Sequence, residues 1–69
     1  MKLSARNVMA GTVVAITKGT TTAHVKIEVG PGFVITASIT NESVDALGLA
    51  IGKSATAIVK SSDVIVGVE

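Results

Sequence analysis

Apolar residues recur at every second position through most of this chain, and that period predicts strands. Ala23, Val25, Ile27 and Val29 alternate with Thr22, His24, Lys26 and Glu28, the pattern of a strand with one buried and one solvated face. Phe33, Ile35, Ala37 and Ile39 alternate in the same way with Val34, Thr36, Ser38 and Thr40. Gly30-Pro31-Gly32 lies between the two runs and reads as a hairpin connection, with Gly32 free to take a positive φ. Upstream, Val8 to Thr17 is rich in β-formers around Val13, Val14 and Ile16, and Lys18-Gly19-Thr20 marks a turn. Downstream, Ala55 to Lys60 and Val64 to Val68 read as two more strands, joined tightly by Ser61-Ser62-Asp63.

One segment breaks the period. From Thr40 to Leu49 the punctuation is helical: Thr40 or Asn41 as cap, Glu42 and Asp45 as early negative charge, Val44 and Leu47 on one face, and Gly48 as terminator. Five strands with one short helix between the third and fourth is the element order of an all-β, OB-type Greek-key barrel, here a single domain over residues 1–69. Val13-Val14 and Val64-Ile65-Val66 are apolar on both faces of their strands. A barrel interior covers one face, and a neighbouring subunit is the expected cover for the other.

The totals sharpen this picture. A chain of 69 residues with 48% hydrophobic content, one aromatic and no cysteine has little interior and no disulfide or thiolate-metal staple. Oligomerisation is the remaining way to bury its valines and isoleucines. A net charge of +1 provides no strong field for nucleic acid or acidic membranes. No apolar run approaches the ~20 residues that span a bilayer, and Met1-Lys2-Leu3-Ser4 has no apolar signal-peptide core. The expected location is cytoplasmic.

Enzyme chemistry finds no footing. His24 is the only histidine, on a polar strand face beside Lys26, and Glu28, Glu42, Asp45, Asp63 and Glu69 are scattered, so no acid–base pair, activated nucleophile or zinc set is present in the pattern. Single-strand nucleic-acid binding needs exposed aromatics and a basic groove. Phe33 is the lone aromatic, placed on an apolar face, and the basic residues are dispersed.

Three polar clusters remain: Ser4-Ala5-Arg6-Asn7, Ser38-Ile39-Thr40-Asn41-Glu42-Ser43 and Lys60-Ser61-Ser62. Ser4 and Arg6 share one side of an extended chain, and Arg carries a fixed fork of donors suited to oxyanions. Lys60 and Ser61 sit where a strand ends and backbone N–H groups come free. Thr40 and Ser43 sit at a helix start, which favours anions. Each cluster has a plainer reading too: Thr40 as a cap, Ser61-Ser62-Asp63 as a turn, Arg6 as a solvated charge.

As an ordered set, Ser4-Ala5-Arg6-Asn7, Gly11-Thr12-Val13, Lys18-Gly19, Ser43-Val44 with Leu47-Gly48-Leu49, and Ala57 through Val64 resemble the molbindins. These are the small Mop proteins of the TOBE/Mop domain type, whose domain also occurs in molybdate-responsive regulators and molybdate transporter ATPases. The resemblance implies an OB-type barrel, a homohexamer built as a trimer of dimers, no enzymatic activity and no cofactor. It implies cytoplasmic binding of molybdate or tungstate for storage, with neither nucleic acid nor membrane as partner. Carried over, the main oxyanion site comprises Ser4, Ala5, Arg6, Lys60 and Ser61 of one subunit with Thr40 and Ser43 of a neighbour. A second kind of site, near a threefold axis, maps onto Lys18, Gly19 and Ala23. Glu42 and Asp45 must then point away from the anion. Another tetrahedral anion such as sulfate, or a purely structural assembly domain with empty sites, stays open at this level.

Overall fold

The computed structural model describes all residues from Met1 to Glu69. Four strands and one helix form: β1 (Asn7–Lys18), β2 (Thr22–Gly30), β3 (Phe33–Thr40), α1 (Asn41–Ala46) and β4 (Ser54–Val59), with a single 3-10 turn at Ser61–Asp63. The strands make one antiparallel sheet in the order β3-β2-β1-β4. The predicted alternation holds along β2, where Ala23, Val25 and Ile27 are buried and Thr22, His24, Lys26 and Glu28 are exposed.

The apolar pair Val13-Val14 has a structural cause. The β1–β2 register slips between Val13 and Ala15, a bulge that inserts one residue and flips the side-chain parity. Val13 faces the core before it, Ile16 opposite Val25 after it, and Val14 is left on the outer surface. The bulge also anchors the loop before β4: Val13 N donates to the Lys53 carbonyl at 2.9 Å, and Gly52 N donates to the Val13 carbonyl at 2.8 Å.

Helix α1 is placed as predicted. Thr40 is its cap, with Oγ1 accepting from Ser43 N at 3.0 Å, and Gly48 closes it with φ at 63°. Val44 inserts into the core formed by Val13, Ala23, Val25, Ile27 and Ala57.

Two expectations are corrected. Val64 to Val68 is not a strand: it pairs with nothing and lies exposed. The backbone explains why. Short hairpins reverse through residues of positive φ, and none occurs between Lys60 and Val64; Gly32, Gly48 and Gly52 are the only such positions in the chain. The Ser61–Asp63 turn therefore bends the chain without returning it to the sheet. The barrel is consequently a curled half-barrel of four strands rather than a closed one of five. Its edges, β3 and β4, face each other across an apolar cavity of about 690 Å3. Phe33 is the second correction. At 72% exposure it stands at the hairpin tip rather than on a covered face.

At Gly11 the backbone of β2 approaches β1 too closely for a side chain. A Cβ there would collide with the Glu28 carbonyl and approach the Ile27 Cγ2 to 2.9 Å. Gly11→Ala is expected to lower stability by about 1–3 kcal/mol, the usual cost of overpacking, read as a fall in unfolding midpoint. An unchanged midpoint would show that β1 and β2 have room to separate there.

Candidate functional site

Two of the three polar clusters meet in space. Asn7 opens β1 and Val59 ends β4, and they are register partners. Arg6 and Lys60, the residues just outside that rung, are thus carried to the same end of the ladder. Asn7 fastens the rung, its Nδ2 donating to the Val59 carbonyl at 3.2 Å. Beside it opens a pocket of about 520 Å3 walled by Ser4, Ala5, Arg6, Lys60, Ser61 and Ser62.

Every polar group on these walls except the carbonyls and hydroxyl lone pairs is a donor. None of the six lining residues has its backbone N–H hydrogen-bonded within the chain. Three hydroxyls are available from Ser4, Ser61 and Ser62, and no carboxylate lines the pocket. The one ion pair in the molecule is Lys18 with Asp45, so the charges of Arg6 and Lys60 are uncompensated. Fixed positive charge with converging N–H and O–H donors suits an acceptor-only anion. Nothing in it provides a base or an activated nucleophile.

Thr40 and Ser43 lie elsewhere. Thr40 pairs with Thr22, close to the Lys18–Ala23 pair at the far end of β1. The twelve residues of β1 would span roughly 36 Å if straight. Besides capping α1, Thr40 donates through Oγ1 to Ser43 Oγ at 2.8 Å. Within one chain these two residues are not part of the pocket.

Lys18, Gly19 and Ala23 do come together, since Lys18 and Ala23 are register partners across the β1–β2 turn. Their donors are largely engaged. Lys18 Nζ lies 2.7 Å from Asp45 Oδ1, Gly19 N donates to the Thr22 carbonyl at 2.8 Å, and the Ala23 side chain is wholly buried. The Asp45 carboxylate is thereby neutralised by Lys18, and Glu42 sits exposed at the same distant end.

The structure adds two residues to those carried over. Ser62, a member of the Lys60-Ser61-Ser62 cluster but outside the carried-over set, is a wall of the pocket. Asn41 braces the helix start, donating from N to the Thr21 carbonyl at 2.8 Å and from Nδ2 to the Gly19 carbonyl at 2.9 Å. Its alternative reading as a cap concealed that role.

No helix is long and apolar enough to cross a membrane, and no group of three or more His, Asp or Glu is gathered to hold a metal ion. Residues 3–66 match the TOBE domain. The chain is 45% identical over its full length to the probable molybdenum-pterin-binding protein of Haemophilus influenzae, also over that protein's full length. It is 46% identical to molybdenum-pterin-binding protein 2 of Clostridium pasteurianum, covering 96% of this chain and 97% of the relative. Among solved structures, apo MopII of Clostridium pasteurianum superposes with a TM-score of 0.90 at 43% identity, over 97% of this chain and all of that one. The cytoplasmic molybdate-binding protein ModG superposes with a TM-score of 0.96 at 45% identity, and the whole of this chain covers 49% of it. By these likenesses the chain belongs to the TOBE-domain family, among the small molybdenum-pterin-binding (Mop) proteins.

Proposed function

We propose that this chain binds molybdate, and its close analogue tungstate, in the Ser4–Arg6 and Lys60–Ser62 pocket, and that it serves as a cytoplasmic store of the oxyanion rather than as an enzyme. The observation that carries this reading is the pocket wall: two uncompensated cations, three hydroxyls and unbonded backbone N–H groups with no carboxylate among them. A tetrahedral dianion only accepts hydrogen bonds, and such a wall only needs acceptors. ModG, so similar in structure, is described as a cytoplasmic molybdate-binding protein. A pterin ring would want an aromatic face to stack on, but Phe33, the single aromatic, is not among the lining residues. The pocket therefore suits the oxyanion rather than an organic ring.

The pocket is open on one side, and in this reading a neighbouring subunit closes it with Thr40 and Ser43. Two apolar surfaces support an assembly larger than a dimer. One is the seam between β3 and β4. The other is the outer face of the sheet, where Val8, Val14, Val34 and Ile58 are exposed. A homohexamer arranged as a trimer of dimers uses both. The Lys18–Gly19 turn with Ala23 would then lie at a second, weaker anion contact, provided by backbone groups more than by the Lys18 charge.

Titration calorimetry with molybdate, tungstate and sulfate tests the proposal. Saturable binding of the first two, with sulfate unable to compete at equal concentration, is the expected result. Sulfate binding as tight as molybdate would assign the pocket to tetrahedral anions generally, and no binding of any would make it a structural domain. Ser43 provides a finer check. A ligand bound only by the folded assembly raises the unfolding midpoint by mass action. Ser43→Ala should reduce the midpoint rise that added molybdate produces. An equal rise in both proteins would leave Ser43 as part of a helix cap alone.

A further inference from the structure

Along the first half of β1 the covered positions are Asn7, Met9, Gly11 and Val13, and Asn7 is the one polar side chain among them. A half-buried amide is costly unless it finds a partner. Asn7 finds the Val59 carbonyl, to which its Nδ2 donates at 3.2 Å across 52 positions of sequence. No other side-chain hydrogen bond joins β1 to β4. The other four in the molecule involve Lys18, Thr40, Asn41 and Ser43, around α1 and the β1–β2 turn at the opposite end.

The place of this bond gives it a purpose. Asn7–Val59 is the last rung of the β1–β4 ladder. Lys60 is still extended, with φ at -63° and ψ at 135°, so the same register carried one step further sets Arg6 opposite Lys60. Residues directly opposite in an antiparallel pair have Cβ atoms about 4.5–5.5 Å apart, and like charges there destabilise the pairing. No carboxylate relieves these two, because the single ion pair, Lys18 with Asp45, lies at the far end. The strands stop at Asn7 and Val59, where that repulsion begins. It acts to splay the two chain segments at the point where the pocket needs them together.

We propose that Asn7 is a positioning residue for the oxyanion pocket: its amide holds the final rung closed against the repulsion of Arg6 and Lys60, so that both cations face one small dianion. The inference rests on the oxyanion reading above. Asn7 is not among the six residues that wall the pocket, so it acts through the two cations rather than on the anion. Affinity falls with the fraction of molecules in which a binding-competent arrangement is populated, and the Asn7 bond raises that fraction. A bound dianion attracts both cations and so closes the rung in turn. By linkage, a closed rung tightens binding by the same factor.

Molybdate calorimetry on the wild type, Asn7→Ala, Lys60→Ala and Asn7→Ala/Lys60→Ala tests this, with sedimentation and unfolding measured alongside. Asn7→Ala is expected to assemble like the wild type and to lose roughly twofold to tenfold in affinity, the worth of one neutral hydrogen bond. In the Lys60→Ala background the repulsion is gone, and the same substitution should cost little; such non-additivity marks residues that act together. An equal loss in both backgrounds overturns the positioning role, as does undiminished affinity in Asn7→Ala. A wild type that binds no molybdate overturns the oxyanion reading and this inference with it, so the two failures are told apart. Should Asn7→Ala fail to fold or assemble, the wild type still decides. Hydrogen exchange of the Asn7 Nδ2 protons, followed by NMR, should slow on saturation with molybdate, and an unchanged rate overturns the proposal.

Discussion

Arg6→Ala is expected to weaken molybdate binding by roughly tenfold to a hundredfold, and Lys60→Ala by a similar factor. The range follows from the loss of one hydrogen bond to a charged group, about 1.5–3 kcal/mol, converted at about 1.4 kcal/mol per tenfold. Both side chains are exposed and neither makes a hydrogen bond or ion pair within its own chain, so the fold loses nothing with them. Circular dichroism and the unfolding midpoint without ligand should match the wild type. Arg6→Lys should recover only part of the affinity, because an ammonium keeps the charge but not the planar fork. The double variant should lose less than the product of the two single losses, since both groups act on one small anion. Calorimetry reads all of these. Affinity unchanged in both single variants would return Arg6 and Lys60 to solvated surface charges.

The second large effect concerns assembly. Only six of the 69 residues are buried, none larger than isoleucine. The chain is also loosely drawn together, with a Cα radius of gyration of 12.7 Å against about 11 Å for a domain of this length. Such a core provides little stability by itself. The unfolding midpoint is therefore expected to rise with protein concentration, because folding is linked to association, and a folded monomer should not accumulate at micromolar concentration. Differential scanning calorimetry over a hundredfold range of concentration, with light scattering at each point, reads both quantities. A midpoint independent of concentration in a monomeric sample would contradict the account.

Much of this could be read from the residues, and the reason is local. In β2 and β3 the period of two is enforced by water on one face and core on the other, so Val25 and His24 announce their sides without knowledge of the rest. The Thr40–Gly48 punctuation is equally local, since a cap hydroxyl and a left-handed glycine act within one turn of chain. The apolar segment Val64–Val68 is where local reading failed. Its composition says buried strand, yet the segment lies exposed and unpaired in its own chain. Only the all-negative φ angles from Lys60 to Val64 show that the segment does not turn back. The pocket falls between these cases. Ser4–Arg6 and Lys60–Ser62 are legible as donor-rich clusters, but their meeting depends on the Asn7–Val59 rung, a pairing across 52 positions of sequence that no short window reveals. The separation of Thr40 and Ser43 from that pocket is likewise a matter of topology. Within the chain they form the helix cap, and they would reach the pocket only from a neighbouring copy.

Crystals grown with tungstate decide the central claim most directly, since tungsten is located unambiguously by its anomalous scattering. The account predicts an anion between Ser4–Arg6 and Lys60–Ser62, within hydrogen-bond distance of the Arg6 guanidinium, the Lys60 ammonium and the backbone N–H groups of that pocket, with Thr40 and Ser43 of a second copy closing its open side. Tungsten found only at other positions, with this pocket holding water in a fully assembled protein, would contradict it.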